Sequence, residues 1–206
     1  MNASINIPSP SSRSFCYSRR RLCPLQFARL LVFLVILAPV SSLRAQSQVE
    51  ESRVKAAFLF HFAQLVDWPQ ESLGAANQPV TFCALGDDPL SGALEATVQG
   101  KQIASRSIVV RYPHESDDLS GCHLLYIASR DKKHVADILA RLKRAPVLTV
   151  GETDTFAQQG GMIGFALQEN KIRFDINLLA ARRSNLKISS RLLVLAKSVI
   201  GDPGQG

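Results

Sequence analysis

The chain has no acidic residue in its first 45 positions and only a small charge surplus after them. Its 206 residues include 24 Lys or Arg and 17 Asp or Glu, a formal net charge of +7. Six of the basic residues lie in positions 1–45, which leaves 18 basic against 17 acidic residues, a net of +1, for positions 46–206. Neutralising nucleic-acid phosphates takes clustered Lys and Arg in surplus, so this balance argues against a nucleic-acid partner.

The usual catalytic signatures are also missing. Gly86 stands alone after a strand-like segment, so neither the dinucleotide-binding glycine pattern nor the Lys-containing phosphate loop is present. No Gly-x-Ser-x-Gly elbow occurs, and Cys83 and Cys122 lack Cys-x-x-Cys spacing. Cys122 and His123 would point to opposite faces of a strand and could not easily share a metal. We therefore expect no catalytic residues, no metal and no cofactor, hence not an enzyme.

No hydrophobic run is long enough to cross a bilayer. The apolar segment 30–40 follows the basic run Arg19–Arg21 and precedes Leu43-Arg44-Ala45. As a helix it would span about 16 Å, against the ~30 Å of a bilayer core. This order predicts a signal peptide over 1–45, cleaved after Ala45. An uncleaved anchor is the alternative, and the weak twin-arginine resemblance of 18–22 leaves the export route open.

Residues 46–206 have the size of one domain, and their pattern predicts an α/β fold. Helical spacing marks 54–66, 90–97 and 132–144, and apolar, β-branched runs mark strands at 80–85, 107–111, 123–128 and 147–150. This alternation predicts a three-layer domain around a mostly parallel sheet. If the order of these four strands is two, one, three, four, as in flavodoxin-like folds, the first and third are neighbours.

The last third of the chain has a different pattern. Apolar and polar residues alternate from Ile172 to Leu178, and with 162–167 this predicts an antiparallel hairpin at the sheet edge. The polar positions Arg173, Asp175 and Asn177 are then expected on an exposed face. A final helix is predicted over Leu186–Ile200, ending at Gly201.

The two cysteines left after export form the predicted disulfide. Cys83 lies in the first predicted strand and Cys122 at the entry to the third, and adjacent strands can bring their Cα atoms within bridging distance. The placement favours a structural bridge, whereas a redox-sensitive bridge would require strain or exposure.

A small-ligand pocket is the other site that this architecture permits. Ligands of open α/β sheets bind beyond the carboxyl ends of parallel strands, where Gly86, Asp87, Asp88 and Gly151 are expected. Helix capping is the simpler explanation of Asp88.

Several ordered blocks resemble the YfiR-like family of periplasmic proteins along nearly the whole of the chain after the leader, from about Val54 to Ala196. The blocks are Val54-Lys55-Ala56-Ala57-Phe58-Leu59, Trp68-Pro69, Phe82-Cys83-Ala84-Leu85-Gly86-Asp87-Asp88-Pro89, Gly121-Cys122-His123-Leu124-Leu125-Tyr126-Ile127, Val147-Leu148-Thr149-Val150-Gly151, Gly160-Gly161-Met162-Ile163, Phe174-Asp175-Ile176-Asn177-Leu178, Ala180-Ala181-Arg182-Arg183 and Leu186-Lys187-Ile188-Ser189-Ser190.

The resemblance implies a dimer-forming, non-catalytic regulator that binds the periplasmic part of an inner-membrane diguanylate cyclase and represses it, lowering cyclic di-GMP. Cys83 and Cys122 occupy the family's cysteine pair. Some relatives carry a second pair near positions 157–164, which this chain lacks, so a two-bridge redox switch is in doubt. The expected partner-binding residues are Arg173, Asp175, Asn177 and Arg182. The alternative function is a periplasmic small-ligand sensor.

Overall fold

The computed structural model describes residues 40–86, 90–128, 132–153, 155–169 and 171–201. The chain divides into two compact units, Met1–Leu43 and Arg44–Gly206, and the fold described below belongs to the second. Most of the predicted signal peptide lies outside the described residues, and so do Asp87 and Asp88. The leader and its cleavage after Ala45 therefore stay predictions.

Five α-helices and one 3-10 helix lie within the described ranges. They are α1 (Val40–Gln64), the 3-10 helix (Gln70–Leu73), α2 (Ser91–Val98), α3 (Lys132–Arg141), α4 (Leu178–Arg183) and α5 (Ser190–Leu195). Helix α1 buries Ala56, Leu59, Phe62 and Ala63, whose spacing of three and four residues follows one helix face. None of the helices in the described ranges is both long and apolar enough to traverse a bilayer.

Ten strands accompany these helices. They are β1 (Val66–Asp67), β2 (Val80–Leu85), β3 (Gln102–Ile103), β4 (Arg106–Arg111), β5 (Leu124–Ile127), β6 (Leu148–Gly151), β7 (Ile163–Gln168), β8 (Lys171–Asn177), β9 (Lys187–Ile188) and β10 (Ser198–Ile200). Strands β5 and β6 are buried along their whole length, as expected for central parallel strands covered on both faces.

The main sheet has the order β10-β8-β7-β6-β5-β2-β4-β3, and a separate antiparallel pair joins β1 to β9. The central strands β4, β2, β5, β6 and β7 run parallel to one another. The four strands recognised in the first part of the domain thus follow the predicted order two, one, three, four. The α/β fold with a mostly parallel sheet is confirmed.

Two apolar cores lie on opposite faces of this sheet. One packs α1 and α2 against side chains that include Phe82, Tyr126 and Phe165. The other packs α3 against Cys83, Leu125 and neighbouring residues. Because each face carries helices, the domain has the three layers expected from alternating strands and helices.

The C-terminal region differs from the sequence prediction in two ways. The predicted helix over 186–200 is wrong, because the segment forms β9, the six-residue α5 and β10 in succession. Ser189 and Ala196 have extended backbones on either side of α5, and the β-branched Val199 and Ile200 pair with β8. The predicted hairpin of β7 and β8 is present, but β10 lies outside β8, so the hairpin is not at the sheet edge.

Candidate functional site

The Cys83–Cys122 disulfide connects the interior of one central strand to the segment that leads into its neighbour. Cys83 belongs to β2, and Cys122 lies two residues before β5, which pairs with β2 in parallel. The two Cα atoms are 5.9 Å apart, and both side chains are buried in the core beneath α3. The backbone amide of the next residue, His123, donates to the Thr81 carbonyl at 2.8 Å, so the chain joins β2 directly after the bridge. The pairing is the one predicted from the sequence.

The polar side chains of β8 do not form the exposed face that the alternation predicted. Arg173 is exposed, whereas Asp175 and Asn177 are buried at 5% and 8% exposure. The Ser198 hydroxyl of β10 donates to Asp175 Oδ1 at 2.7 Å. The prediction failed for Asp175 and Asn177 because an additional strand and the start of α4 cover this end of the hairpin.

Asn177 has a structural role at the junction of β8 and α4. Its Oδ1 accepts the Ala180 amide at 2.9 Å, which caps the helix, and its Nδ2 donates to the Ala157 carbonyl at 2.7 Å. Both ends of the side-chain amide are therefore engaged within the domain. Asn177 can support a binding surface but does not present itself to a partner.

Arg182, the fourth predicted partner-binding residue, is exposed on α4. It lines a concavity of about 450 Å³ together with Trp68, Lys187 and four other residues of the β1–β9 region. Of the four predicted residues, then, Arg173 and Arg182 reach solvent, and Asp175 and Asn177 are buried within the domain.

Two residues of the predicted ligand pocket at the carboxyl ends of the strands, Gly86 and Gly151, lie in different surroundings. Gly86 is exposed and has φ 106°, a left-handed value that glycine tolerates. Gly151 is buried, and a Cβ at this position would lie 2.2 Å from Cδ2 of the Phe156 ring. Gly151 therefore provides space for a core aromatic and is not open to a ligand.

A cavity of about 440 Å³ lies instead toward the amino ends of the parallel strands, between α3 and α4. Its lining includes Thr149, Met162 and Asn177, with Lys143 and Arg183 also contributing. Gln159 Oε1 belongs to this lining and is buried without a hydrogen-bond partner among the described residues. The chain pattern gave no signal for this cavity, because its walls come from segments far apart in sequence.

A cluster of Lys55, Tyr126 and Glu152 connects α1 to the carboxyl ends of β5 and β6. Glu152 Oε1 accepts hydrogen bonds from both the Lys55 ammonium and the Tyr126 hydroxyl. Burial disfavours the charged ammonium, but its hydrogen bonds to Glu152 and Glu51 and the charges of these two groups outweigh that effect, so the pKa of Lys55 is raised. Tyr126 is fully buried, so the cluster is a closed support for α1.

His123 and Arg106 hold the segment that contains the 3-10 helix. His123 Nδ1 accepts the Thr81 amide at 3.0 Å, which leaves Nε2 to donate to the Ser72 carbonyl at 3.1 Å. Burial, and to a smaller degree the positive charge of Arg106, lower the pKa of His123 against the opposing effect of the Ser72 carbonyl. The neutral imidazole is therefore the form that fits the fold.

Arg106 complements this anchoring from β4. Its guanidinium donates to four backbone carbonyls, those of Leu73, Gly74, Ala75 and Gln78. His123 was considered from the sequence only as a metal ligand beside Cys122, and Arg106 was not singled out, since their partners are backbone atoms that no residue pattern reveals.

These observations define a three-layer α/β domain in which a buried disulfide and polar clusters link the elements. The domain exposes basic side chains near its C-terminal end. The chain belongs to the YfiR/HmsC-like family, whose model matches residues 52–197.

Two solved structures show weaker similarity. A conserved domain protein from Vibrio cholerae has 12% identity and a TM-score of 0.44, with 58% of this chain and 54% of that chain covered. The ABC domain in complex with L-Trp from Streptococcus pneumonia has 10% identity and a TM-score of 0.44, with 59% and 55% covered. The present chain thus spans about half the length of either.

Proposed function

We propose that this protein is a non-catalytic periplasmic regulator that binds the periplasmic segment of an inner-membrane diguanylate cyclase and represses it. The match to the YfiR/HmsC-like family over residues 52–197 carries the proposal. That match spans the disulfide, the β7–β8 hairpin and α4, the features on which the proposed mechanism depends. Export by a signal peptide over 1–45 and homodimer formation are parts of the same proposal.

The mechanism needs a rigid surface and no chemical step. Arg173 on β8 and Arg182 on α4 are the exposed members of the proposed surface, and Asp175 and Asn177 support it from within. A repressor acts by binding the inactive conformer of its target more tightly than the active one. Moving a target from almost wholly active to almost wholly inactive takes about 5 kcal/mol of differential affinity, which an interface of standard size can supply.

Deletion and complementation test this function. Loss of the gene is expected to raise cellular cyclic di-GMP and biofilm formation, and the wild-type gene should restore both. The Arg173→Glu/Arg182→Glu variant should fail to restore them at equal protein abundance. Arg111→Glu/Arg144→Glu is the matched control, because both residues are exposed and lie outside the proposed surface. Unchanged cyclic di-GMP after deletion would count decisively against the proposal.

A soluble small-ligand sensor is the second candidate. The cavity of about 440 Å³ favours it, because Gln159 Oε1 offers a buried acceptor without a partner among the described residues. Calorimetry against periplasmic metabolites should then find binding that Gln159→Leu abolishes and that Gln99→Leu, at an exposed glutamine outside the cavity lining, leaves intact. Binding that is equal in both variants would remove this candidate.

A further inference from the structure

The basic and acidic residues of the domain are segregated along the chain. Residues 176–206 contain five basic residues and one acidic residue, Asp202, a net charge of +4. Residues 46–175 contain 13 basic and 16 acidic residues, a net of −3. The near neutrality of the domain therefore conceals a strongly positive C-terminal part.

All five of these cations reach solvent, and they are Arg182, Arg183, Lys187, Arg191 and Lys197. None of them takes part in an ion pair with another described residue. One exposed acid, Asp67, lies opposite Lys187 in the β1–β9 pair and lines the same concavity as Arg182 and Lys187. The five cations outnumber it, so the field at this surface is positive.

Large apolar side chains are exposed among these cations. Val194 is 84% exposed, Leu195 62% and Leu179 42%. On α5, Arg191, Val194 and Leu195 are related by steps of three and four residues and so share one helix face. Leu192, only 2% exposed, anchors the other side of the helix in the core. The outer face of α5 thus combines a cation with two aliphatic side chains.

The elements that carry these residues are neighbours in the fold. Helix α4 packs against β9 and β10, and α5 connects those two strands. The Leu179 side chain packs against Gly201, since a Cβ on Gly201 would lie 2.3 Å from Leu179 Cγ. Arg182 and Lys187 line one concavity. We name this region the C-terminal basic surface, defined by Leu179, Arg182, Arg183, Lys187, Arg191, Val194, Leu195 and Lys197.

We propose that the C-terminal basic surface docks on the anionic headgroups of a lipid bilayer, with Val194 and Leu195 entering the interface. Charge complementarity selects this occupant, because a leaflet that contains anionic lipids presents net charge of one sign, whereas a protein partner would present both signs. Peripheral binding by several cations and a few aliphatic groups is reversible. This goes beyond the proposed repressor function, because it requires no cyclase.

Sedimentation of the purified protein with lipid vesicles tests the proposal. Vesicles of equal parts phosphatidylglycerol and phosphatidylcholine should bind the protein, and vesicles of phosphatidylcholine alone should not. Each basic residue contributes about 1 kcal/mol at an anionic surface, so Arg182→Glu/Lys187→Glu/Arg191→Glu should weaken binding by about 100-fold or more. Raised salt should weaken wild-type binding, and Val194→Ser/Leu195→Ser should weaken it at constant charge.

The matched control changes net charge equally at other sites. Arg53→Glu/Arg111→Glu/Arg144→Glu reverses three exposed cations outside 176–201 and should retain most of the binding. Thermal melts confirm that each variant is folded. Equal loss in both triple variants, or equal binding to neutral vesicles, would overturn the proposal. Absence of vesicle binding would also overturn it. If a periplasmic cyclase segment then bound the wild-type protein and not the Arg182→Glu/Lys187→Glu/Arg191→Glu variant, the repressor function would stand without the membrane site.

Discussion

Removing the Cys83–Cys122 disulfide gives the sharpest test of how this fold is stabilised. The bridge spans a sequence separation of 39 residues and lies in an apolar core. In the chain-entropy model, closing a loop of this length lowers the entropy of the unfolded chain and so raises the free energy of unfolding by about 4 kcal/mol. A domain typically has only about 5–15 kcal/mol of total stability, so the loss is a large fraction of it.

The assay is equilibrium urea unfolding of the oxidised protein and of the Cys83→Ala/Cys122→Ala variant. We expect the unfolding free energy to fall by about 4 kcal/mol, because each substitution removes only one sulfur atom and the packing cost adds little to the entropic effect. A thiol reductant should destabilise the wild-type protein by a similar amount. The same reductant must leave the double variant unchanged, which controls for effects unrelated to the bridge.

Two results would refute this reasoning. A loss of less than about 1 kcal/mol would mean that the unfolded chain is already restricted, so that loop closure contributes little. Free thiols at both positions in the exported protein, detected by non-reducing mass mapping, would show that the bridge does not form.

Three further predictions concern the supports of the fold. Glu152→Gln should lower the free energy of unfolding in urea by about 2–4 kcal/mol, because it leaves the largely buried Lys55 ammonium without its main counter-charge. Glu51→Gln removes a more exposed carboxylate, 2.7 Å from the same ammonium, and should cost under about 1 kcal/mol. Equal costs would contradict these assigned roles. Since the pKa of His123 is lowered from 6.5, the folded state binds its proton less readily than the unfolded state, so its contribution is complete above pH 6.5 and is lost as the pH falls toward the folded-state pKa. Thermal melts should show this loss, and a His123→Gln variant that retained it would disprove the assignment. Gly151→Ala should cost about 1–3 kcal/mol in thermal or urea unfolding by clashing with Phe156, and an unchanged stability would show that the ring can move aside.

The central sheet could be predicted because its strands carry their own signals. Val80–Leu85 was assigned as a strand with the bounds that the structure has, and short apolar runs separated by helical periods are typical of parallel strands. The disulfide could be predicted from the strand order, since Cys83 lies on β2 and Cys122 in the segment that leads into the neighbouring β5.

The C-terminal region could not be predicted in the same way. Leu186–Ile200 contains apolar residues at helical spacing, yet the free edge of β8 offered Val199 and Ile200 unpaired backbone groups, and pairing there interrupts the helix. The alternation along β8 correctly indicated a strand. It could not reveal that β10 and α4 would bury Asp175 and Asn177, because burial depends on elements that arrive later in the chain.

The sequence alone determined the central strands, the helices between them and the segregation of charge, because each depends on residue type and spacing along the chain. Tertiary structure alone decided which polar side chains reach solvent. It buried Asp175 and Asn177 beneath new neighbours, placed Phe156 over Gly151, and joined Lys55 to Glu152 across 97 positions. The physical reason is that burial and hydrogen bonding depend on distances between elements, which a one-dimensional pattern does not contain.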